Sequence, residues 1–222
     1  MKIGFISVIA ITMPISLYAE MINISPAINL FKLGGLWMWF LLALSVLSFS
    51  LILEKIYYFR KTKISNPAVL KNISSHIQDI DKLKKFLLLQ KSLSAEIIKK
   101  SLSVKTQKEF LSKVERETSI AVSKLGKGIN LIGTIGSVAP LVGFLGTVSG
   151  MITAFGNIAN ADEVSAKLVA GGIYTALITT AAGLIIAIPS IMAHNYFVYK
   201  IENFTTEIEQ LTNIILDANI FK

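Results

Sequence analysis

The sequence predicts an all-α membrane protein with three transmembrane helices, of which the second and third are long and extend into a helical cytoplasmic region. Hydrophobic residues make up 53% of the 222 residues and charged residues 16%, and the mean hydropathy is +0.62. Three stretches lack Asp, Glu, Lys and Arg: residues 33–53, 129–161 and 168–199. A hydrocarbon core of about 30 Å needs about 20 helical residues. The last two stretches exceed that length, so their helices should continue beyond the bilayer.

Several classes of function are excluded by composition. The net charge of +8 does not indicate nucleic-acid binding, because basic residues are interspersed with acidic ones and no DNA-binding motif is present. Without cysteine, and with two separated histidines, the chain predicts neither a disulfide framework nor a metal site. Phosphate-binding loops and nucleophile constellations are also missing from the sequence. We therefore expect no nucleic-acid partner, no cofactor and no catalytic residue.

The N-terminal residues have the layout of a secretory signal peptide. Lys2 precedes an apolar run from Ile3 to Leu17, and Ala19 offers a cleavage point, although Leu17 is large for its position. We expect residues 1–19 to be a signal peptide and residues 20–32 a periplasmic N-terminal segment. The alternative is a short anchor that is not cleaved.

The first transmembrane helix is predicted over residues 33–53. Trp37 and Trp39 lie at one end, and Tyr57 and Tyr58 follow the other. Aromatic residues of this kind favour the two membrane–water interfaces.

Charge predicts the orientation of the spans. Residues 54–127 contain 17 Lys or Arg and 7 Asp or Glu, whereas Lys167 is the only base between the second and third spans, in residues 162–167. Basic loops stay on the cytoplasmic side. We therefore expect a multi-pass membrane protein whose N-terminus lies outside the cytoplasm and whose C-terminus lies inside it.

The cytoplasmic loop, residues 54–128, is predicted to be helical, because apolar residues recur three and four positions apart from Ile80 onward. Breaks are expected at 101–106 or at 126–128. Residues 200–222 should form a cytoplasmic helix that continues the third span. Its apolar stripe is Phe204, Ile208, Leu211 and Ile215, and we expect Glu202, Glu207 and Glu209 to lie on a solvated face.

Small residues in the last two spans predict a tight antiparallel hairpin over residues 129–199, with spans 129–161 and 168–199. Such residues let helices approach closely in lipid. A proline within a span should bend its helix. The residues expected to pack or kink are Gly143, Gly146, Gly150, Pro140, Gly183 and Pro189.

Threonines in these spans are the candidate functional residues. Thr147 lies 14 residues before Ala161 and Thr180 lies 13 residues after Lys167, so both should lie about 20 Å below the connector. Hydroxyls at one depth suit a water-lined or ion-conducting path. The alternative is that each hydroxyl bonds its own helix backbone or a packing partner. Thr175 and Thr179 lie one turn apart on a neighbouring face.

The segments "TIGSVAPLVGFLGTVSGM" and "ALITTAAGLIIAIPSIMAHNYF" resemble the two signature segments of the MotA/TolQ/ExbB channel family, especially its ExbB and TolQ branches. The resemblance implies a homo-oligomer, a pentameric ring around two helices of an ExbD/TolR-like single-span partner with a membrane aspartate. It also implies that proton motive force drives a TonB- or TolA-like periplasm-spanning protein for energised outer-membrane transport.

Residue by residue, the resemblance implies that Thr147 and Thr180 line the pore, that Pro140 and Pro189 are the kink prolines, and that Asn195 lines the inner exit. We include Thr175 and Thr179 in the candidate ion pathway. His194 is a candidate proton relay or an interface residue. Thr175 stands where ExbB and TolQ usually have glutamate, and Ser149 where tryptophan is common.

The missing glutamate leaves alternatives open. A threonine hydroxyl does not exchange protons in the physiological range, so the partner's aspartate becomes the proton carrier. Hydroxyl and carbonyl oxygens also suit a hard cation, which allows a sodium-driven member of the same family. A non-conducting structural membrane scaffold is the further alternative. Whether the chain is an ExbB, a TolQ or a specialised paralogue stays open at this point.

Overall fold

A computed structural model of the protein describes residues 29, 31, 34–65, 67–73, 80–104, 106–160 and 166–218. Throughout these residues the regular elements are helices and no strand occurs, which confirms the all-α prediction. The predicted signal peptide and most of the segment 20–32 lie outside the described residues. The helices are α1 (Leu36–Thr62), α2 (Pro67–Ile73), α3 (Ile80–Leu89), α4 (Leu93–Ser101), α5 (Gln107–Gly126), α6 (Ile129–Ala159) and α7 (Ala166–Asp217).

Three helical stretches are long and apolar enough to cross a membrane: Leu36–Thr62, Gln107–Ala159 and Val169–Asp217. This confirms the three spans. The third belongs to α7, a single helix of 52 residues, which at about 1.5 Å per residue exceeds the thickness of any bilayer. Its apolar half therefore spans the membrane and its charged half continues outside.

Local sequence explains where the helices around the basic loop begin and end. The Ser92 hydroxyl accepts a hydrogen bond from Ala95 N at the start of α4, and the Thr106 hydroxyl accepts one from Glu109 N at the start of α5. Both are ordinary N-caps. Gly128 has a φ of +83°, a conformation that glycine adopts without strain. It lies between α5 and α6.

The chain divides into two compact units: the first comprises residues 1–42 and 142–183, and the second comprises 43–141 and 184–222. In the first unit, α6 and α7 pack through small residues. The Cα of Gly150 faces Ala176, where an added Cβ would lie 3.2 Å from the alanine Cβ. The buried residues of the two helices in this unit include Ala154, Ala176 and Thr179.

The second unit contains the larger apolar core. It joins α3, α4 and α5 to the tail of α7, and its fully buried side chains include Leu83, Ile98, Phe110, Phe204, Leu211 and Ile215. The tail residues of this core are those of the apolar stripe in the sequence. Burial of a Leu, Ile or Phe side chain contributes about 1.5–3 kcal/mol. The stripe therefore explains why α7 continues as a helix after its apolar segment.

Within the second unit, α1 runs parallel to α7. The Ser48 and Ser190 hydroxyl oxygens are 2.6 Å apart, and the ring centroids of Phe59 and Phe197 are 5.1 Å apart. Just after the end of α1, the Ser65 hydroxyl donates to the Glu207 carboxylate of α7. From one contact to the next, the residue numbers rise on both sides. The helices are therefore parallel, and residues of α1 and α7 that lie at the same height can be paired.

The expectation that Glu207 is solvated was wrong. Its side chain is 4% exposed, and the Ser94 hydroxyl donates to Oε1 at 2.6 Å while Ser65 donates to Oε2. Glu202 and Glu209 are exposed as expected. Glu207 adjoins the buried Ile208 and lies one turn from Phe204, so it faces the core edge. Two hydroxyls there replace the lost hydration of the carboxylate.

Candidate functional site

The candidate site lies in the first unit, where α6 and α7 approach each other at Gly143. A Cβ added to Gly143 would lie 2.7 Å from the carbonyl oxygen of Thr179 and 3.0 Å from the Cα of Thr180. A Cβ added to Gly146 would lie 2.6 Å from the Thr179 hydroxyl oxygen. Only glycine leaves enough room for these backbones to meet. The close approach brings α7 hydroxyls to the α6 backbone.

Three of the predicted threonines converge at this point. The hydroxyl oxygens of Thr147 and Thr180 are 3.1 Å apart. Thr179 and Thr180 both lie 3.2 Å from the Gly143 carbonyl oxygen, and Thr147 lies 3.4 Å from the same atom. The site is therefore one backbone carbonyl surrounded by three side-chain hydroxyls from two helices.

The hydrogen atoms of these hydroxyls are directed to backbone carbonyls. Thr147 donates to Phe144 O at 2.6 Å, and Thr179 donates to Ala176 O at 2.7 Å. Each hydroxyl has one hydrogen, and a carbonyl accepts at most two good bonds. The shortest bonds therefore use the hydrogens of Thr147 and Thr179, and that of Thr180 goes to Gly143 O or to Thr147. The threonine oxygens keep lone pairs, so they can receive a cation or a hydrogen-bond donor.

Burial separates the roles of the three hydroxyls. Thr179 is 1% exposed and holds the two helices together, which is the packing role expected of many threonines in membrane helices. Thr147 and Thr180 are half-buried. Their oxygens are therefore the ones that a ligand or ion could reach.

A cavity of about 760 Å³ also lies in the first unit. Polar residues of α6 that line it are Ser149, Thr153 and Asn157, opposite glycines of α7 and the turn before α1. These three residues recur every four positions, which places them on one helix face. That spacing is visible in the sequence, but Thr153 and Asn157 were not among the predicted site residues.

The remaining predicted residues stand apart from this cluster. Thr175 lies within α7, but its side chain is outside the described part of the structure. Asn195 is exposed in the second unit, and its Oδ1 is 3.2 Å from Nδ1 of His194. The His194 ring lies against Gly133, where an added Cβ would be 2.7 Å from Cδ2.

The residues predicted to pack or kink lie within the two long helices. Helix α6 continues through Pro140 and α7 through Pro189. Each proline lacks the amide hydrogen that would bond the carbonyl four residues earlier. Gly183 is buried.

Comparison with known proteins follows the same two helices. The model of the MotA/TolQ/ExbB proton channel family matches residues 89–210. A biopolymer transport protein ExbB homolog of Methanothermobacter thermautotrophicus is 30% identical over 189 residues, which cover 82% of this chain and 66% of that protein.

Two bacterial relatives are similar over shorter segments. The biopolymer transport protein ExbB of Pseudomonas putida is 33% identical over 104 residues, covering 47% of this chain and 32% of the relative. The Tol-Pal system protein TolQ of Pseudomonas aeruginosa is 39% identical over 88 residues, covering 38% of each chain. The chain thus spans less than two thirds of the length of these relatives. The family model nevertheless covers more than half of the chain, including α5, α6 and most of α7, and the chain belongs to the MotA/TolQ/ExbB proton channel family.

Proposed function

We propose that this protein is the ring-forming inner-membrane subunit of an ExbB/TolQ-type motor, in which ions pass the oxygens of Thr147 and Thr180. The distance of 3.1 Å between these two hydroxyl oxygens carries the proposal. Two half-buried acceptors from different helices lie at one level, and their hydrogens are used internally. Such a pair favours an ion or a hydrated proton over an uncharged apolar ligand.

The proposal requires a second protein to supply the titratable group. No Asp, Glu, Lys or Arg lies between residues 129 and 161 or between 168 and 199, and threonine does not release its proton at physiological pH. We therefore propose an ExbD/TolR-like single-span partner whose membrane aspartate moves past the threonine oxygens. When that aspartate is protonated, its hydroxyl is the donor that the acceptor pair suits.

The proposed work cycle couples ion passage to a TonB- or TolA-like protein. One charge crossing 100 mV releases about 2.3 kcal/mol, so several ions release as much energy as a protein–protein contact contributes. The ring, which we propose to be pentameric, would enclose the partner helices. The excess of 17 basic over 7 acidic residues in 54–127 supports a cytoplasmic position for this region.

The test is the double substitution Thr147→Val and Thr180→Val, which keeps side-chain shape and removes both oxygens. A matched control is Thr134→Val with Thr205→Val, because each of these hydroxyls donates to a carbonyl four residues earlier. Proteoliposomes containing the protein and an ExbD/TolR-like partner are loaded with a pH-sensitive dye.

We expect the Thr147/Thr180 variant to lose proton flux about tenfold or more, because each lost polar contact to a desolvated ion costs about 1–3 kcal/mol. The control should conduct as the unmodified protein does. Assembly should survive in both, since a hydrogen bond between membrane helices contributes only about 0.6 kcal/mol. If the Thr147/Thr180 variant assembles and conducts normally, the scaffold function is correct and the channel function is wrong.

Sodium is the second candidate ion, favoured by a site made only of hydroxyl and carbonyl oxygens. Hard cations prefer such ligands. The same vesicles decide between the ions: proton flux that follows a pH gradient in sodium-free buffer excludes sodium, whereas flux that depends on sodium excludes protons.

A further inference from the structure

A second cavity, of about 860 Å³, lies within the second unit along α1 and α7. Its lining changes from apolar to basic in the same direction along both helices. On α1, Ile52 and Ile56 come before Arg60, and on α7, Met192 comes before Lys200. Because the two helices run parallel and in step, the apolar residues line one end and the basic residues the other. The cavity is therefore amphiphilic.

The basic end holds three cations, Arg60, Lys63 and Lys200, together with the polar side chains of Ser65 and Asn203. None of the lining residues is acidic. The nearby Glu207 carboxylate accepts hydrogen bonds from Ser65 and from the Ser94 hydroxyl. Among the described residues, no ion pair involves any of the three cations. The described lining residues themselves thus carry a net positive charge.

The level of the cavity matches a membrane surface. The charge-free segments of the two helices end at Leu53, beside the apolar lining residue Ile52, and at Tyr199, directly before the basic lining residue Lys200. Exposed tyrosines surround this level at positions 57, 58, 196 and 199. Aromatic residues concentrate where lipid tails give way to headgroups. Basic pockets between membrane helices at that level suit anionic phospholipid headgroups.

Backbone geometry adds an independent observation at Lys63. This residue directly follows α1 and has a φ of +42°, in the left-handed region where glycine is the usual residue. Its carbonyl accepts a hydrogen bond from Leu93 N, and the carbonyl of Ile64 accepts one from Ser94 N. A lysine is thus held by the surrounding chain in a conformation that disfavours it. A left-handed residue is a common end of a helix, and here the Lys63 side chain lines the basic end of the cavity.

We infer that this cavity binds one anionic phospholipid, with its phosphate between Arg60, Lys63 and Lys200 and an acyl chain along Ile52, Ile56 and Met192. The lipid would join the first and third spans of one chain at the membrane surface. A zwitterionic lipid should bind more weakly, because it carries no net negative charge to match the net positive charge of the site. This inference does not depend on ion conduction.

Native mass spectrometry of the full chain, delipidated in mild detergent, tests the inference. Phosphatidylglycerol, phosphatidylcholine and glycerol phosphate are added separately, and bound molecules per chain are counted. We compare the triple variant Arg60→Gln/Lys63→Gln/Lys200→Gln with a control of equal charge change at three exposed lysines, Lys71→Gln/Lys82→Gln/Lys124→Gln.

We expect one phosphatidylglycerol per chain in the unmodified protein and the control. The triple variant should bind it about a hundredfold more weakly, from about fivefold for each basic residue removed. Phosphatidylcholine should bind weakly to all three proteins. Equal binding of phosphatidylglycerol by the triple variant and the control overturns the inference. Glycerol phosphate binding as tightly as the lipid also overturns it, because the site would then take a soluble phosphate.

The single variant Lys63→Gly keeps the test decisive if the triple variant does not fold. Glycine relieves the left-handed backbone and removes one cation, so the fold should not be weakened while lipid affinity falls about fivefold. Unchanged lipid affinity contradicts the inference. The competing occupant of the cavity is a neighbouring copy of this chain. If the lipid is lost when the oligomer assembles, the neighbouring copy covers the cavity and the lipid site is wrong.

Discussion

The backbone contact at Gly143 makes Gly143→Ala the most informative single substitution in the candidate site. The added methyl would lie 2.7 Å from the Thr179 carbonyl oxygen and 3.0 Å from the Cα of Thr180. Both are backbone atoms, so no side chain can rotate to make room. Ordinary contacts of this kind lie at about 3.5–4.0 Å. Helices α6 and α7 must therefore separate by roughly 0.5–1 Å.

The expected cost follows from that separation. Overpacking of a tight contact costs about 1–3 kcal/mol. The Thr180 hydroxyl, 3.2 Å from Gly143 O, would move out of bonding range, which adds about 0.6 kcal/mol. We expect Gly143→Ala to lower the free energy of unfolding by about 2–4 kcal/mol.

Gly156→Ala is the matched control because it makes the same chemical change in the same helix. No atom lies within 4 Å of a Cβ at Gly156, and alanine favours a helix over glycine by about 0.5–1 kcal/mol. The two substitutions should thus have opposite signs. Unfolding in mixed micelles, followed by circular dichroism as SDS is increased, measures both. If Gly143→Ala is as stable as Gly156→Ala, the close approach of α6 and α7 described above is wrong.

Two further predictions concern polar groups of the second unit. Glu207→Ala leaves the buried Ser94 hydroxyl without its acceptor, so it should destabilise by about 1–3 kcal/mol in the same unfolding assay. Ala at the exposed Glu209 should change stability by less than about 0.5 kcal/mol; equal effects would contradict the buried position of Glu207. Ser48→Ala removes the 2.6 Å bond to Ser190. Because Ser190 also donates to Ile186 O, the free energy of unfolding should fall by only about 0.6 kcal/mol. A fall of more than about 2 kcal/mol relative to Ser50→Ala would contradict that account.

The helices could be predicted from the periodicity of apolar residues, whereas the polar contacts between the helices could not. The surplus length of residues 168–199 and the stripe from Phe204 to Ile215 indicated a helix extending past the membrane, and α7 confirms it. Glu207 was assigned to the wrong environment because its partners, Ser65 and Ser94, are more than a hundred residues away in sequence. Helical spacing alone carries no information on such partners.

In the candidate site, too, the sequence predicted the helix faces but not the polar contacts. Spacing of small residues indicated which faces of α6 and α7 meet. It did not give the direction of each hydroxyl hydrogen, which depends on rotamers fixed by the neighbouring backbone. Three hydroxyls sharing the Gly143 carbonyl could therefore be found only from coordinates.

The donor arrangement at Thr147 has a consequence for the proposed ion path. Its hydrogen bonds Phe144 O at 2.6 Å, so the side chain is a fixed acceptor and cannot serve as a link in a Grotthuss relay without breaking that bond. A solvent molecule touching it must turn a hydrogen toward the protein. Successive molecules in a file would then share one dipole orientation, which must reverse before a second proton can follow the first.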